Sequence, residues 1–162
     1  MLVNFVNNSP EFRKIAEDIE KNFKSDKVYD KGKAIYDWIT KNIQYDKTLP
    51  ESEDLSKRSV QEALKSKKAI CNGFAYLFNV LAKYNNLETN VVTGVGKNEG
   101  HAWNTLVDGD KEISVDCTFG ASLPDKYFVY APDAGFSQDH NILDKDNKLI
   151  PYTTMDDVIL AN

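Results

Sequence analysis

The 162-residue chain has little of the chemistry-bearing residues: two cysteines, Cys71 and Cys117, and two histidines, His101 and His140. Two cysteines build neither a disulfide framework nor a zinc knuckle, whose ligands come in closely spaced pairs. No apolar run approaches the roughly 18 residues of a membrane-crossing helix. The opening "MLVNFVNNSPEF" lacks the basic start and longer apolar stretch of a secretory leader. The cytoplasm is therefore the default expectation, with export open if the chain is one domain of a longer protein. Positive charge is also short, with 20 Lys and Arg against 25 Asp and Glu for a net −5. Nothing basic exceeds short pairs such as Lys67-Lys68, which speaks against nucleic acid or an anionic membrane as partner. Repeats, low-complexity tracts and linkers are absent too, so one domain is expected.

What is present suits a real core, since 41% of residues are hydrophobic and 11% aromatic. Asn8-Ser9-Pro10 offers a cap followed by proline at the first helical position. Phe12, Ile15, Ala16, Ile19 and Phe23 then recur at helical spacing, to an end near Ser25. A second helix is predicted from about Asp30 to Asn42, burying Ala34, Ile35, Trp38 and Ile39. "YDKTLPESEDLSKRS" (45–59) has no period and reads as a surface loop. A short helix around Val60–Ser66 precedes a strongly apolar one beginning near Cys71. Beyond "NNLE" the period becomes extended: 89–95, 102–108, 112–119 and 126–131 read as strands, with a hairpin turn at Asp108-Gly109-Asp110. The tail suggests a short hairpin around "ILDKDNKLI" and a terminal helix after Thr154. Helices first and antiparallel strands afterwards give α+β, with a central Cys-bearing helix packed on the sheet.

Cys71 stands in "KKAICNGFAYLF" at the start of the apolar helix. There, unpaired N–H groups and the positive end of the macrodipole favour thiolate, and the same donors can hold an oxyanion. Burial as a plain thiol is the commoner fate of a cysteine. A nucleophilic cysteine needs a base, and His101, in "NEGHAWNTLVDG", opens a strand on the same face as Trp103. Asp116, in "EISVDCTFG", is expensive to bury without a partner. Simple pairing about the Asp108-Gly109-Asp110 turn sets 102 opposite 116, or 101 opposite 117. A carboxylate beside an imidazole fixes its tautomer and stabilises imidazolium. Strand alternation would send Cys117 to the opposite face, as a packed thiol.

"AICNGFA", "GHAWNTLV" and "SVDCTFG", in that order, resemble the three signature segments of the transglutaminase-like superfamily, which shares the papain-like Cys-His-Asp arrangement. "WITKNIQYD" is similar to its lead-in helix, and "KYFVYAPDAGFSQDH" to the segment after the third motif in bacterial members. The resemblance spans roughly Ile35 to His140, within a domain core of about 30–140. It implies Cys71 as nucleophile, His101 as general base and acid, and Asp116 as orienter. It also implies an upstream oxyanion donor, for which Tyr45 and Gln44 are candidates, with Trp103 a further substrate-side candidate. Where many members follow the aspartate with a proline or small polar residue, then threonine and tryptophan, this chain has Cys117, Thr118 and Phe119, departing at the first and third. The activity implied is thiol-dependent acyl transfer on a protein or peptide amide, by a protease, amidase or cross-linking enzyme without metal or cofactor. The alternative is an inactive module of the same fold that binds protein or peptide.

Other signals carry less. "GVGKNEG" has the wrong glycine spacing for a phosphate loop and reads as a mobile turn before His101. "DKDNK" (144–148) lacks the glycine of a calcium loop. Zinc on Cys71, His101 and Asp116 lacks a close second ligand beside Cys71. His140, next to Asp139, is expected at the surface or in packing.

Overall fold

The computed structural model describes residues 9–48, 60–97 and 99–142, with Ile142 described for its backbone only. Helix α1 (Pro10–Glu20) starts where Ser9 Oγ accepts from Phe12 N at 3.3 Å and proline occupies the first turn. It buries Phe12, Ile15, Ala16 and Ile19, and ends five residues before the expected Ser25, leaving Phe23 partly buried beyond it. Helix α2 (Val28–Asn42) buries Gly32, Ile35, Tyr36 and Ile39. Its inward face is rotated towards Tyr36 relative to expectation, so Trp38 and Ala34 are only partly covered. A Cβ on Gly32 would stand 2.4 Å from Leu106 Cδ2, so this helix runs hard against the sheet.

The chain after α2 forms an unexpected two-residue strand, β1 (Gln44–Tyr45), whose second residue opens the stretch that reads as loop. It pairs in parallel with β2 (Lys68–Ala69), which follows the short helix α3 (Val60–Ser66). Helix α4 (Cys71–Tyr84) comes next, with every residue from Asn72 to Ala82 buried. A helix buried all round and mostly apolar belongs in the middle of a fold, and this one is wrapped by α2, α3 and the large sheet.

That sheet has five antiparallel strands in the order β6-β5-β4-β3-β7. They are β3 (Thr89–Gly96), β4 (Glu99–Asp108), β5 (Lys111–Val115), β6 (Phe128–Tyr130) and β7 (His140–Ile142). The β4–β5 turn places Gly109 at φ 64°, a conformation glycine adopts without strain. Its register pairs Asn104 with Val115, one position away from simple folding about residue 109. The strand expected over 112–119 stops at Val115, because Asp116 turns the chain into the one-turn helix α5 (Cys117–Gly120). Helix α6 (Ala134–Asp139) and β7 were not foreseen. The expected hairpin around 142–150, the "DKDNK" stretch and the terminal helix lie outside the described residues, as do 49–59 of the expected loop. Among the described residues no helix is long and apolar enough to cross a membrane.

Candidate active site

Cys71 is the first residue of α4, after Ile70 in extended conformation and with no side-chain cap. Such a start leaves the first-turn N–H groups without carbonyl partners inside the helix. The β1–β2 pair fixes the approach: Tyr45 is opposite Ala69, and Asp46 N donates to Ala69 O at 2.9 Å. Tyr45 is thereby carried to the mouth of the helix. Asn104 supplies the tie to the sheet, its buried amide donating to Ala75 O of α4 at 2.9 Å. That bond joins the His101 strand to the Cys71 helix. Sequence reasoning gave Asn104 no role, although a buried amide in a strand demands a partner.

His101 is the third residue of β4, since that strand starts at Glu99. Its ring lies flat on Phe119, with centroids 4.2 Å apart and planes 7° apart, and at 5.9 Å from Trp103. The ring's Nε2 meets Asp116 Oδ2 at 2.7 Å, and Cys71 lies near enough to act on the ring's charge from the same cleft. Burial opposes the charged imidazolium. The bond to Asp116 and the nearby Cys71, with the charges of both, outweigh it and push His101 up to about 9.

Asp116 is fully buried and satisfied on both oxygens. As the cap of α5, its Oδ1 accepts from Phe119 N at 2.9 Å. Its Oδ2 takes His101 and also His140, whose Nε2 lies 2.6 Å away. Burial raises a carboxyl, but the two histidine bonds, the His101 charge and the Phe119 N–H hold Asp116 below the usual range. His140 therefore corrects the surface or packing expectation: it is buried against the same carboxylate as His101. A sequence signal existed in "GVG". Gly94 pairs with His101 on one side, and Gly96 pairs with His140 on the other. Gly96 leaves room for the His101 ring, and Gly94, on the same face, for the Trp103 ring and the Asn141 backbone of β7.

A cleft of about 350 Å³ opens over these residues, lined by Tyr45, Cys71, Lys97, Gly100, His101 and Phe119 among others. The profile of the transglutaminase-like superfamily matches residues 13–117. The chain belongs to that superfamily. Curated relatives are the kyphoscoliosis peptidases of Homo sapiens and Mus musculus, each 27% identical over 132 residues. Those alignments take in 67% of this chain and 20% of the relatives, so the chain spans about a fifth of the length of these proteins. A solved transglutaminase (TGase) structure superposes with a TM-score of 0.55 at 24% identity, over 70% of this chain and 32% of that one. A Cytophaga hutchinsonii chain, provisionally assigned as a cysteine protease, gives 0.55 at 24%, over 82% and 46%. These structures establish the shared α+β fold.

Within this superfamily fold, the remaining candidates separate. Tyr45 is 45% exposed on the cleft wall, and burial together with the Cys71 charge raises its phenol, so it keeps its proton. Gln44 pairs with Lys68 and is not among the lining residues, and Trp103 is buried beside His101 instead of facing the cleft. Cys117 is packed in the core with its thiol pushed well up by burial; the cause is its place in α5, since strand alternation does not reach it. Phe119, where many members carry tryptophan, is the platform for the His101 ring. One ring nitrogen of each histidine and an Asp116 oxygen lie within 4.8 Å of one another. A cation would bind there only by replacing the two hydrogen bonds that Asp116 accepts.

Gly96 makes a separate prediction. A Cβ there would stand 2.7–3.0 Å from three atoms of His101. Gly96→Ala should push the imidazole off Asp116 while leaving the fold intact, lowering turnover by roughly 10- to 100-fold. Steady-state kinetics beside a thermal melt checks this; an unchanged rate would show that the ring position tolerates the shift.

Proposed function

We propose that the chain is a cysteine-dependent acyl-transfer enzyme that cleaves amide or peptide bonds through a thioester. The observation that supports this reading is the His101 ring bonded to Asp116 in a cleft whose wall also carries Cys71. Cys71 sulfur, as thiolate, attacks the carbonyl carbon, and electrons move onto the oxygen. The N–H groups at the start of α4, with the Tyr45 hydroxyl as second donor, stabilise that oxyanion. As the C–N bond breaks, the imidazolium of His101 gives its proton to the leaving amine. A nucleophile, deprotonated by His101, then attacks the thioester and frees the thiolate. Water gives a peptidase or amidase, and an amine gives cross-linking. A name ending in peptidase among the relatives favours water. Asp116 holds the ring in the tautomer both steps need.

The pH dependence follows from His101. Its raised value keeps it protonated through neutral pH, so the acid that serves the departing amine is present there. That acid is lost as pH rises through about 9. An alkaline limb in kcat/KM near that value is expected. Alkylation of Cys71 by iodoacetamide should persist well below the ~8.5 of a free thiol. An ordinary thiol profile at Cys71, together with no turnover on peptide or glutamine-donor panels, would overturn the enzyme reading in favour of a binding module.

A further inference from the structure

We propose that His140 is a positioning residue that completes the relay behind His101. This rests on the acyl-transfer reading and adds a group to it. The hydrogen-bond accounting is decisive. His140 Nδ1 faces the Phe136 carbonyl at 2.8 Å, an acceptor only, so that nitrogen carries a hydrogen. The other ring nitrogen, Nε2, faces Asp116 Oδ2 at 2.6 Å. A neutral ring with its hydrogen on Nδ1 would set a lone pair against the carboxylate, so a further proton lies on the Nε2–Oδ2 line. Oδ2 therefore meets two imidazoles while Oδ1 takes the Phe119 N–H. Three fixed contacts leave the carboxylate no freedom to rotate away from His101.

The fold is built to seat this ring. It stacks on Phe136 at 3.9 Å and 8°, and its edge meets Trp103 at 4.7 Å. Its neighbours are tied down: Asp139 O accepts from Lys97 N, and the Asp139 carboxylate accepts from Tyr127 and Lys126. On the other side, a Cβ at Gly94 would come 2.3 Å from Asn141 O, so β7 closes on β3 only across a glycine. A glycine within a strand weakens it, and here it admits the strand that carries His140.

Two variants separate positioning from packing. Phenylalanine at 140 keeps the stacked ring but has no donor; glutamine loses the ring but brings an amide N–H towards Asp116. If His140 positions Asp116, His140→Phe lowers kcat about 10- to 100-fold with KM within about twofold, and His140→Gln recovers most of it. A packing role gives the reverse order and overturns the proposal. Kinetics use a panel of fluorogenic peptide amides. Alongside, ¹⁵N-histidine NMR of the full chain should show two low-field imidazole protons. His140→Phe should remove one and displace that of His101. A His101 proton unmoved by the substitution also overturns the proposal. If wild type shows no turnover, the acyl-transfer reading fails separately, and the NMR result still decides the role of His140.

Discussion

Cys71→Ala is expected to abolish turnover, leaving less than about one part in 10⁴ of the wild-type rate, as loss of a covalent nucleophile does elsewhere. The size follows from chemistry: without sulfur there is no thioester, and the residual rate comes from oxyanion donors and binding alone. Folding should survive, because Cys71 is only partly buried and lies at the helix start. A second consequence separates this variant from simple damage. The nearby Cys71 and its charge help hold the His101 proton, so its titration should move down from about 9 once the thiol is gone, which imidazole NMR reads directly. Cys117 is the internal control. It is a core thiol whose burial opposes ionisation, so Cys117→Ala should cost stability and leave the rate within a few-fold. Full turnover in Cys71→Ala would end the acyl-transfer reading.

Legibility in the sequence tracks how local the cause is. α1 could be read from Ser9-Pro10 and the spacing of Phe12, Ile15, Ala16 and Ile19, since cap and period lie within one segment. The start of α4 at Cys71 was equally plain, because the run from Phe74 to Ala82 is apolar but for Asn79. Failures occur where a tertiary partner decides. Asp116 sits in a strand-like run, yet its carboxylate caps Phe119 N and ends the strand. The turn also displaced the guessed register by one, although His101 and Asp116 still meet. β1 forms only because β2 is beside it, and two residues carry no period. His140 was invisible for a related reason. A lone histidine in "SQDH" has no local pattern, and its partner lies 24 positions earlier in the chain. Gly94 and Gly96, in a stretch that reads as a turn, lie in β3, where Gly96 makes room for the His101 ring and Gly94 for Trp103 and the β7 backbone.

Asp116→Asn tests the relay at its most sensitive point. Asparagine matches the carboxylate in shape, so it can keep an oxygen for Phe119 N and continue to cap α5. Its amide then points two donors at the histidine nitrogens that Oδ2 now serves. Both rings must accept there. His140 can comply, since its Nδ1 already donates to Phe136 O. His101 complies only by placing its hydrogen on the nitrogen facing Cys71, where it can no longer take the thiol proton. The wrong tautomer is thereby locked in. A loss on the order of 10³- to 10⁴-fold in kcat is expected with the melting temperature nearly unchanged, by analogy with serine-protease triads. The His101 titration should fall from about 9, because burial favours the neutral ring once the carboxylate is gone. Asp116→Ala should behave differently. It strands the Phe119 N–H and two ring nitrogens in the interior, and breaking such a buried pair typically costs about 3–5 kcal/mol. That variant should unfold at much lower denaturant than Asp116→Asn. If Asp116→Asn keeps more than about a tenth of wild-type kcat while its NMR shows the tautomer change, His101 does not act through the nitrogen facing Cys71.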